Sequence, residues 1–396
     1  MTTTPRAVSE TGGQTTDRID PAAPPETTES LGPPAPPGRR HAVFHPLRVA
    51  AVERLTEDSV AITFVVPEDL RAEFRFNPGQ HLSVRADALG GDVRRNYSIC
   101  APATGGPLRI GVKRIPDGVF SNYAADQLKA GDLLDVMTPS GTFSTPLDAA
   151  NAKRYVAVAA GSGITPVLSI LATVLEIETQ STAALIYVNR RASTIMFLEE
   201  LEDLKNRFPE RFQLVHVLGQ EMTEVDMLSG RLDVERLGRI LDTIVPVDDV
   251  DEWFLCGPLA MTDSVRGVLL ERDVDAAHVH RELFHVGATI TRRCPRPDPG
   301  TTVTGSAVTV ILDGRSLTFT LPRDGDSILD GTLRARSDAP YACKNAVCGT
   351  CRAKVIEGKV EMDSNYALEP DETARGYVLT CQSHPVTDAV TVDFDQ

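Results

Sequence analysis

Cys343-Lys344-Asn345-Ala346-Val347-Cys348-Gly349-Thr350-Cys351, answered well downstream by Cys381, is the stretch that decides the fold. Written as spacing it is C-x4-C-x2-C followed by a distant fourth cysteine, the arrangement that wraps a two-iron, two-sulfide cluster. Each iron takes two thiolates, so one loop supplies three sulfurs and a returning segment brings the fourth. Cys343, Cys348, Cys351 and Cys381 are therefore the expected metal ligands. Asn345 and Gly349 suit such a loop because both residue types tolerate left-handed backbone. The competing reading is structural zinc, which usually pairs C-x2-C with a second C-x2-C or with His. Neither accompanies this loop.

Working outward, two short strands with a turn at Asp313-Gly314 and a helix from Ser327 lead into the cysteines, which predicts a small β-grasp over 306–396. The preceding segment, 291–305, carries Pro295, Pro297, Pro299 and Gly300 and reads as an exposed linker. From 149 to 290 apolar β-rich runs alternate with helix-period segments. Strands at Tyr155–Ala160, Ala184–Val188, Gln213–Leu218, Glu252–Cys256 and near His278–His280 predict a doubly wound, five-stranded parallel sheet. From 43 to 148 short alternating strands are broken by Pro78-Gly79, Gly105-Gly106-Pro107 and Gly131-Asp132, as an antiparallel β-barrel requires. Residues 1–42 hold almost no large apolar groups and are expected to be disordered. The fold class is thus multidomain: β, then α/β, then α+β.

Composition narrows the function. With 42% hydrophobic and 24% charged residues the chain is an ordinary globular one. Of its seven cysteines four are committed as thiolates, which argues for a reducing compartment. No run of about eighteen apolar residues occurs, and the N-terminus lacks a signal pattern. The expectation is a cytoplasmic protein with no membrane span. A net charge of −15 argues against nucleic acid and suits docking on a basic partner surface.

Four motifs carry chemistry. In Arg95-Asn96-Tyr97-Ser98, strand alternation puts Arg95 and Tyr97 on one face and Ser98 on the other. The guanidinium can clamp a pyrophosphate, the phenol can pack on an aromatic cofactor, and Ser98 can donate toward flavin N5. Gly118-Val119-Phe120-Ser121 then opens a helix at about Asn122–Leu128, and a helix N-terminus receives anions. Gly161-Ser162-Gly163-Ile164-Thr165-Pro166 follows the first parallel strand and starts a helix, with Pro166 in its first turn. It lacks the third glycine of the strict dinucleotide fingerprint. Arg190 ends the second parallel strand where an acidic residue would select NADH, so a 2′-phosphate and NADPH are favoured. Cys256-Gly257-Pro258 ends the fourth strand at the carboxyl edge, and Cys256 can sit beside a nicotinamide. Glu282 and Phe284, just past the last strand, can reach the flavin edge. Ser98 and Cys256 are the residues expected nearest the reacting atoms. The eight histidines form no ligand cluster, and His278 and His280 match strand alternation.

Arg95-Asn96-Tyr97-Ser98, Gly161 to Pro166 and Cys256-Gly257-Pro258 stand in the order found in the ferredoxin–NADP reductase superfamily. With a C-terminal plant-type ferredoxin domain appended, the chain resembles the reductase components of multicomponent oxygenases from Phe44 onward. Within them it is most similar to the reductase subunits of ring 1,2-phenylacetyl-CoA epoxidases. That likeness rests on Tyr341-Ala342-Cys343-Lys344, Cys348 to Val355, Gly358 to Asp363, Asn365 to Leu368 and Gly376 to Gln382. The resemblance implies FAD contacts at Arg95, Tyr97, Ser98, Gly118 and Ser121. It implies NADPH contacts at Gly161, Gly163, Thr165, Pro166, Arg190, Cys256 and Gly257, and a 2Fe–2S cluster on the four cysteines. The implied activity is electron transfer from NADPH through FAD and the cluster to an oxygenase partner. Reductases of Rieske-type and steroid hydroxylases share the same domain order. A rival of another class is a zinc-stabilised interaction module fused to an inactive nucleotide-binding fold.

Overall fold

The computed structural model describes residues 44–90, 93–284, 305–336 and 338–396. Segment 1–42, most of the 291–305 linker, His285 and Cys294 lie outside the described residues. The first region comprises β1 (Phe44–Thr56), β2 (Ser59–Val65), β3 (His81–Arg85), β4 (Arg94–Ser98), β5 (Arg109–Lys113), α1 (Val119–Asp126) and β6 (Leu133–Met137). Its antiparallel sheet runs in the order β4-β3-β6-β1-β2-β5. A bridge between Ile99 and Ile110 draws its two edges together, so the sheet curls into a barrel. Alternate residues such as Leu47, Val49, Leu82, Val84, Leu134 and Val136 fill its interior. Helix α1 starts a turn earlier than its sequence suggests, because Phe120 and Ala124, one turn apart, are the side chains that reach this core.

The second region holds β7 (Arg154–Ala160), α2 (Ile164–Ile177), β8 (Thr182–Asn189), α3 (Leu198–Arg207), β9 (Phe212–Leu218), α4 (Val234–Thr243), β10 (Glu252–Gly257), α5 (Leu259–Leu270) and β11 (Val279–Leu283). All five strands are parallel, in the order β11-β10-β7-β8-β9. Tyr155, Ala157 and Ala159 pack toward α2 and α3, while Val156 and Val158 pack toward α4 and α5. That two-sided burial is why β7 reads as a continuous apolar run. The last strand begins one residue later than expected and runs further. Asp275 accepts the N–H of Ala277 at 2.9 Å and holds a tight turn at Ala276–His278, which delays the strand. His278 is therefore a turn residue, and Glu282 lies on the strand rather than past it.

The third region contains β12 (Gly305–Leu312), β13 (Arg315–Pro322), α6 (Ile328–Ala335), β14 (Arg352–Glu357), β15 (Val360–Met362), α7 (Pro370–Ala374), β16 (Tyr377–Leu379), β17 (Ser383–Pro385) and β18 (Ala389–Asp393). Asp313 and Gly314, at φ 54° and 65°, make the tight turn of the first hairpin. Ser327 caps α6 by accepting the N–H of Asp330 at 3.1 Å. The main sheet, β13-β12-β18-β14-β16, pairs β12 with β18 in parallel, and α6 covers it as in a β-grasp.

A buried carboxylate ties the barrel's exit to the parallel sheet. Glu178, just past α2 and without solvent exposure, accepts from Tyr155 Oη (2.8 Å), Ser181 Oγ (2.7 Å), Asn151 Nδ2 (2.7 Å) and the Asp148 N–H (3.1 Å). Glu178→Ala strands these donors and is expected to destabilise this region by about 3 kcal/mol. Trp253, the single tryptophan, lies fully buried in the same region, so its fluorescence during urea unfolding reads the effect. An unchanged midpoint would contradict the prediction.

Candidate functional site

Strand β4 pairs with β3, placing Ser98 opposite His81. Its alternation turns Arg95 and Tyr97 one way and Arg94, Asn96 and Ser98 the other. Arg95 is exposed. Tyr97 packs on Phe120 with ring centroids 5.4 Å apart. Burial pushes its phenol above the ordinary range and nearby Arg95 offsets only part of that. At the start of α1, a Cβ on Gly118 would strike Ser121 Oγ and the Ile115 side chain, so the tight approach needs glycine. Val119 is exposed. Ser121 is buried, its hydroxyl donating to the Gly118 carbonyl and accepting from the Ile115 N–H, both at 3.3 Å. The Ser121 hydroxyl thus closes the turn that opens α1.

The carboxyl edge of the parallel sheet meets β4. Gly161 takes φ +53°, and a Cβ on Gly163 would run into the Cys256 carbonyl, so the turn can lie flat against β10 only with glycine there. Thr165 is buried, donates to the Ser162 carbonyl at 3.0 Å and sets its methyl group against Gly111 of the barrel. Pro166 occupies the third position of α2, where its missing N–H is harmless. Cβ growth on Gly257 would meet Met261 Cε at 2.7 Å. Arg190 is exposed at the end of β8, and Phe284 is partly exposed at the end of the described segment.

Cys256 and Glu282 are register neighbours on β10 and β11. Ser98 Oγ donates to Glu282 Oε2 at 3.3 Å, joining barrel to sheet. Burial raises the Glu282 carboxyl to about 8; the Ser98 hydrogen bond lowers it somewhat and the Cys348 sulfur raises it further. Glu282 is thus a neutral acid at pH 7. Burial, reinforced by Glu282, likewise holds Cys256 as a thiol.

In the cysteine loop the sulfurs pair in twos. Cys343 hydrogen-bonds Cys348, which is thereby lowered to about 6 although burial opposes it. Cys351 hydrogen-bonds Cys381, which is lowered in the same way. Among the described residues no three His, Cys, Asp or Glu side chains are grouped so as to hold one metal ion. Two pairs suit a core with two metal centres, each taking two sulfurs, and the donor set fits a 2Fe–2S cluster. Lys344, Ala346 and Gly349 take the left-handed conformation. Asn345, expected to do so, instead turns its N–H onto Cys343 Sγ at 3.3 Å. Gln382 Nε2 reaches the Lys344 carbonyl at 3.0 Å and Cys381 Sγ at 3.6 Å, fastening the returning segment to the loop.

Sequence reasoning missed the other side of β4. Arg94, almost fully buried, reaches the Tyr341 carbonyl at 3.5 Å, and Asn96 Nδ2 reaches Thr350 Oγ1 at 3.4 Å. The available signal was the second arginine beside Arg95, which alternation sends to the opposite face.

Three family models match in succession: an oxidoreductase FAD-binding domain at 46–145, an oxidoreductase NAD-binding domain at 157–267 and a 2Fe-2S iron-sulfur cluster binding domain at 310–386. The chain is 45% identical over 352 residues to a subunit of the 1,2-phenylacetyl-CoA epoxidase of Escherichia coli, covering 89% of this chain and 98% of the relative. The chain belongs to this family of oxygenase reductases. The reductase is also 34% identical to the ferredoxin reductase component of 3-ketosteroid-9-alpha-monooxygenase from Rhodococcus rhodochrous, over 88% of this chain and 96% of that one. Among solved structures it resembles phthalate dioxygenase reductase, titled a modular structure for electron transfer from pyridine nucleotides to [2Fe-2S]. The TM-score is 0.56 at 25% identity, covering 89% of this chain and 98% of that one. The reductase is an oxidoreductase with FAD-, NAD(P)- and 2Fe–2S-binding domains. Among the described residues no helix is long and apolar enough to cross a membrane.

Because folding raises the Glu282 carboxyl from about 4.5 to about 8, the native state keeps a proton that the unfolded chain has released. Stability therefore falls as pH rises between those values. Glu282→Gln removes that slope, so calorimetry of the holoprotein should find the variant's Tm gaining on wild type across this window. Parallel pH profiles would argue against a neutral Glu282.

Proposed function

We propose that this reductase takes electrons from NADPH and delivers them singly to a di-iron oxygenase that epoxidises phenylacetyl-CoA in aerobic phenylacetate degradation. The observation that carries this reading is the meeting of three regions on β4. Arg95 and Tyr97 stand on one face, Ser98 is joined to Glu282 of the parallel sheet, and Arg94 and Asn96 touch the cysteine loop. When bound, FAD supplies hydride acceptance and the 2Fe–2S cluster supplies one-electron transfer.

The side chains divide the remaining work. Arg95 clamps the pyrophosphate as a fork of parallel donors, and the amides opening α1 at Gly118, Val119 and Ser121 add a favourable field for phosphate. Tyr97, backed by Phe120, forms an apolar wall for the flavin ring. Ser98 holds a hydroxyl at the flavin edge, oriented by Glu282, and Phe284 shields the same edge. Gly161 and Gly163 let backbone amides approach the nicotinamide dinucleotide, Thr165 and Pro166 shape the following turn, and Cys256 with Gly257 closes the nicotinamide side. Cys343 with Cys348 takes one iron, and Cys351 with Cys381 takes the other. No side chain is assigned as an essential general acid or base. Exposed Arg190 makes no ion pair among the described residues and favours the 2′-phosphate of NADPH. The greater identity to the epoxidase component than to the steroid hydroxylase component, 45% against 34%, favours the epoxidase as partner.

Reconstituted with the oxygenase subunits of a phenylacetyl-CoA epoxidase, the reductase is expected to couple NADPH oxidation to epoxide formation. Cys348→Ser should abolish that coupling while NADPH still reduces the flavin. Coupling to a Rieske-type or steroid oxygenase in place of the epoxidase would overturn the partner assignment. Arg190→Ala should raise KM for NADPH by about 10- to 100-fold, the worth of a charge-assisted hydrogen bond or two, and leave KM for NADH nearly unchanged. Equal loss with both nucleotides would contradict the 2′-phosphate contact.

A further inference from the structure

Stacked cations and rings run from the barrel into the cysteine loop. Arg85 Cζ lies 4.4 Å from the centroid of the Phe44 ring, and Arg94 Cζ lies 5.1 Å from the same ring. Arg94 Cζ is also 4.1 Å from the Tyr341 ring, and Lys344 Nζ is 4.7 Å from that ring. Carboxylates hold both ends: Asp135 of β6 pairs with Arg85 at 2.9 Å, and Asp330 of α6 pairs with Lys344 at 2.9 Å. Arg94, in the middle, is only 6% exposed. A flat guanidinium can share itself between two rings, whereas a lysine ammonium is a compact, strongly hydrated charge.

The place of these contacts matters more than their number. Tyr341 and Lys344 bracket Cys343, and Thr350, met by Asn96, sits between Cys348 and Cys351. The outward face of β4 therefore grips the cysteine loop at both ends, while the inner face, shared with Leu82 and Val84, carries Arg95 and Tyr97. We propose that Arg94 is a positioning residue for the internal electron step: with Phe44 and Tyr341 it seats the cysteine loop at a fixed distance from the flavin-bearing face of the same strand. This inference rests on the reductase reading above, and it adds a role for a residue that touches neither nucleotide nor substrate. Electron transfer between two held centres needs no docking motion. If Arg94 is lost, the step has to wait for the domain to find its seat.

The test uses holoprotein carrying Arg94→Ala, Arg94→Lys, Tyr341→Phe or Tyr341→Leu. Stopped-flow mixing with NADPH follows flavin reduction and then cluster reduction, at two solvent viscosities. Amide hydrogen exchange is read across 341–351 independently of activity. For both Arg94 variants and for Tyr341→Leu, flavin reduction is expected to stay within about twofold of wild type. Cluster reduction should slow by roughly 10- to 100-fold, the scale of a misplaced reacting group, and become viscosity-dependent. Exchange across 341–351 should quicken. Tyr341→Phe, which keeps the ring, should behave as wild type. Wild-type cluster reduction with unaltered exchange in Arg94→Ala would overturn the proposal, and an Arg94→Lys variant equal to wild type would show that charge alone suffices. Should NADPH fail to reduce the wild-type flavin, the reductase reading falls, and the exchange data alone then decide whether Arg94 seats the loop.

Discussion

Side chains of a β-strand leave it alternately to two sides, and in β4 that alternation sets the contacts of Arg95 and Tyr97 back to back with those made to the cysteine loop. Tyr97 and Arg95 lie opposite Leu82 and Val84 and share the barrel's inner face; Arg94 and Asn96, on the outward face, look toward the cysteine loop, and Ser98 ends the strand at Glu282 of the parallel sheet. The consequences spread through the fold. Gly163 must lack a side chain so that its turn can lie against the Cys256 carbonyl, and Gly111 must lack one so that β5 can approach Thr165. Glu178 gathers Asp148, Asn151, Tyr155 and Ser181 where the chain passes from barrel to sheet. The described residues form one packed unit, and β4 is where its three regions come together.

Two carboxylates of the parallel sheet show how partners decide charge. Burial works against ionisation in both. At the start of β10, Glu252 meets Lys153 at 2.9 Å and His280 at 2.8 Å, with His278 at 3.6 Å. Although burial opposes it, hydrogen bonds from His280 and Lys153 lower its carboxyl to about 2, and it works as an anchor. At the end of β11, Glu282 has a serine hydroxyl as its hydrogen-bond partner and thiol sulfur nearby, so it keeps its proton. The sheet thus carries a fixed charge at its amino edge and an uncharged acid at its carboxyl edge.

Local chemistry made much of this legible from residues alone. The C-x4-C-x2-C spacing, Arg95-Asn96-Tyr97-Ser98 and Gly161-Ser162-Gly163 each describe contacts within a few residues, and the strands they terminate have clear period-two or all-apolar patterns. Contacts between distant segments carry no such pattern. Arg94 and Tyr341 are 247 positions apart, and nothing in the spacing of either announces the other. The same holds for Glu178, which looks like a helix-end acid until the segment at Asp148–Asn151 is laid beside it. Asn345 failed for a different reason: a residue type that tolerates left-handed backbone need not adopt it when its N–H is needed by Cys343. His278 left the strand because Asp275 closed a turn first.

The proposed function requires electrons to pass inside one chain, from a flavin held at Arg95 and Tyr97 to the cysteine loop on the other face of β4. Rapid anaerobic mixing of the holoprotein with NADPH, repeated over a wide range of protein concentrations, measures this most directly. Cluster reduction should follow flavin reduction with a first-order rate constant that does not change with concentration. A rate that rises in proportion to protein concentration would mean that electrons cross between molecules, and the shared strand would not be their route.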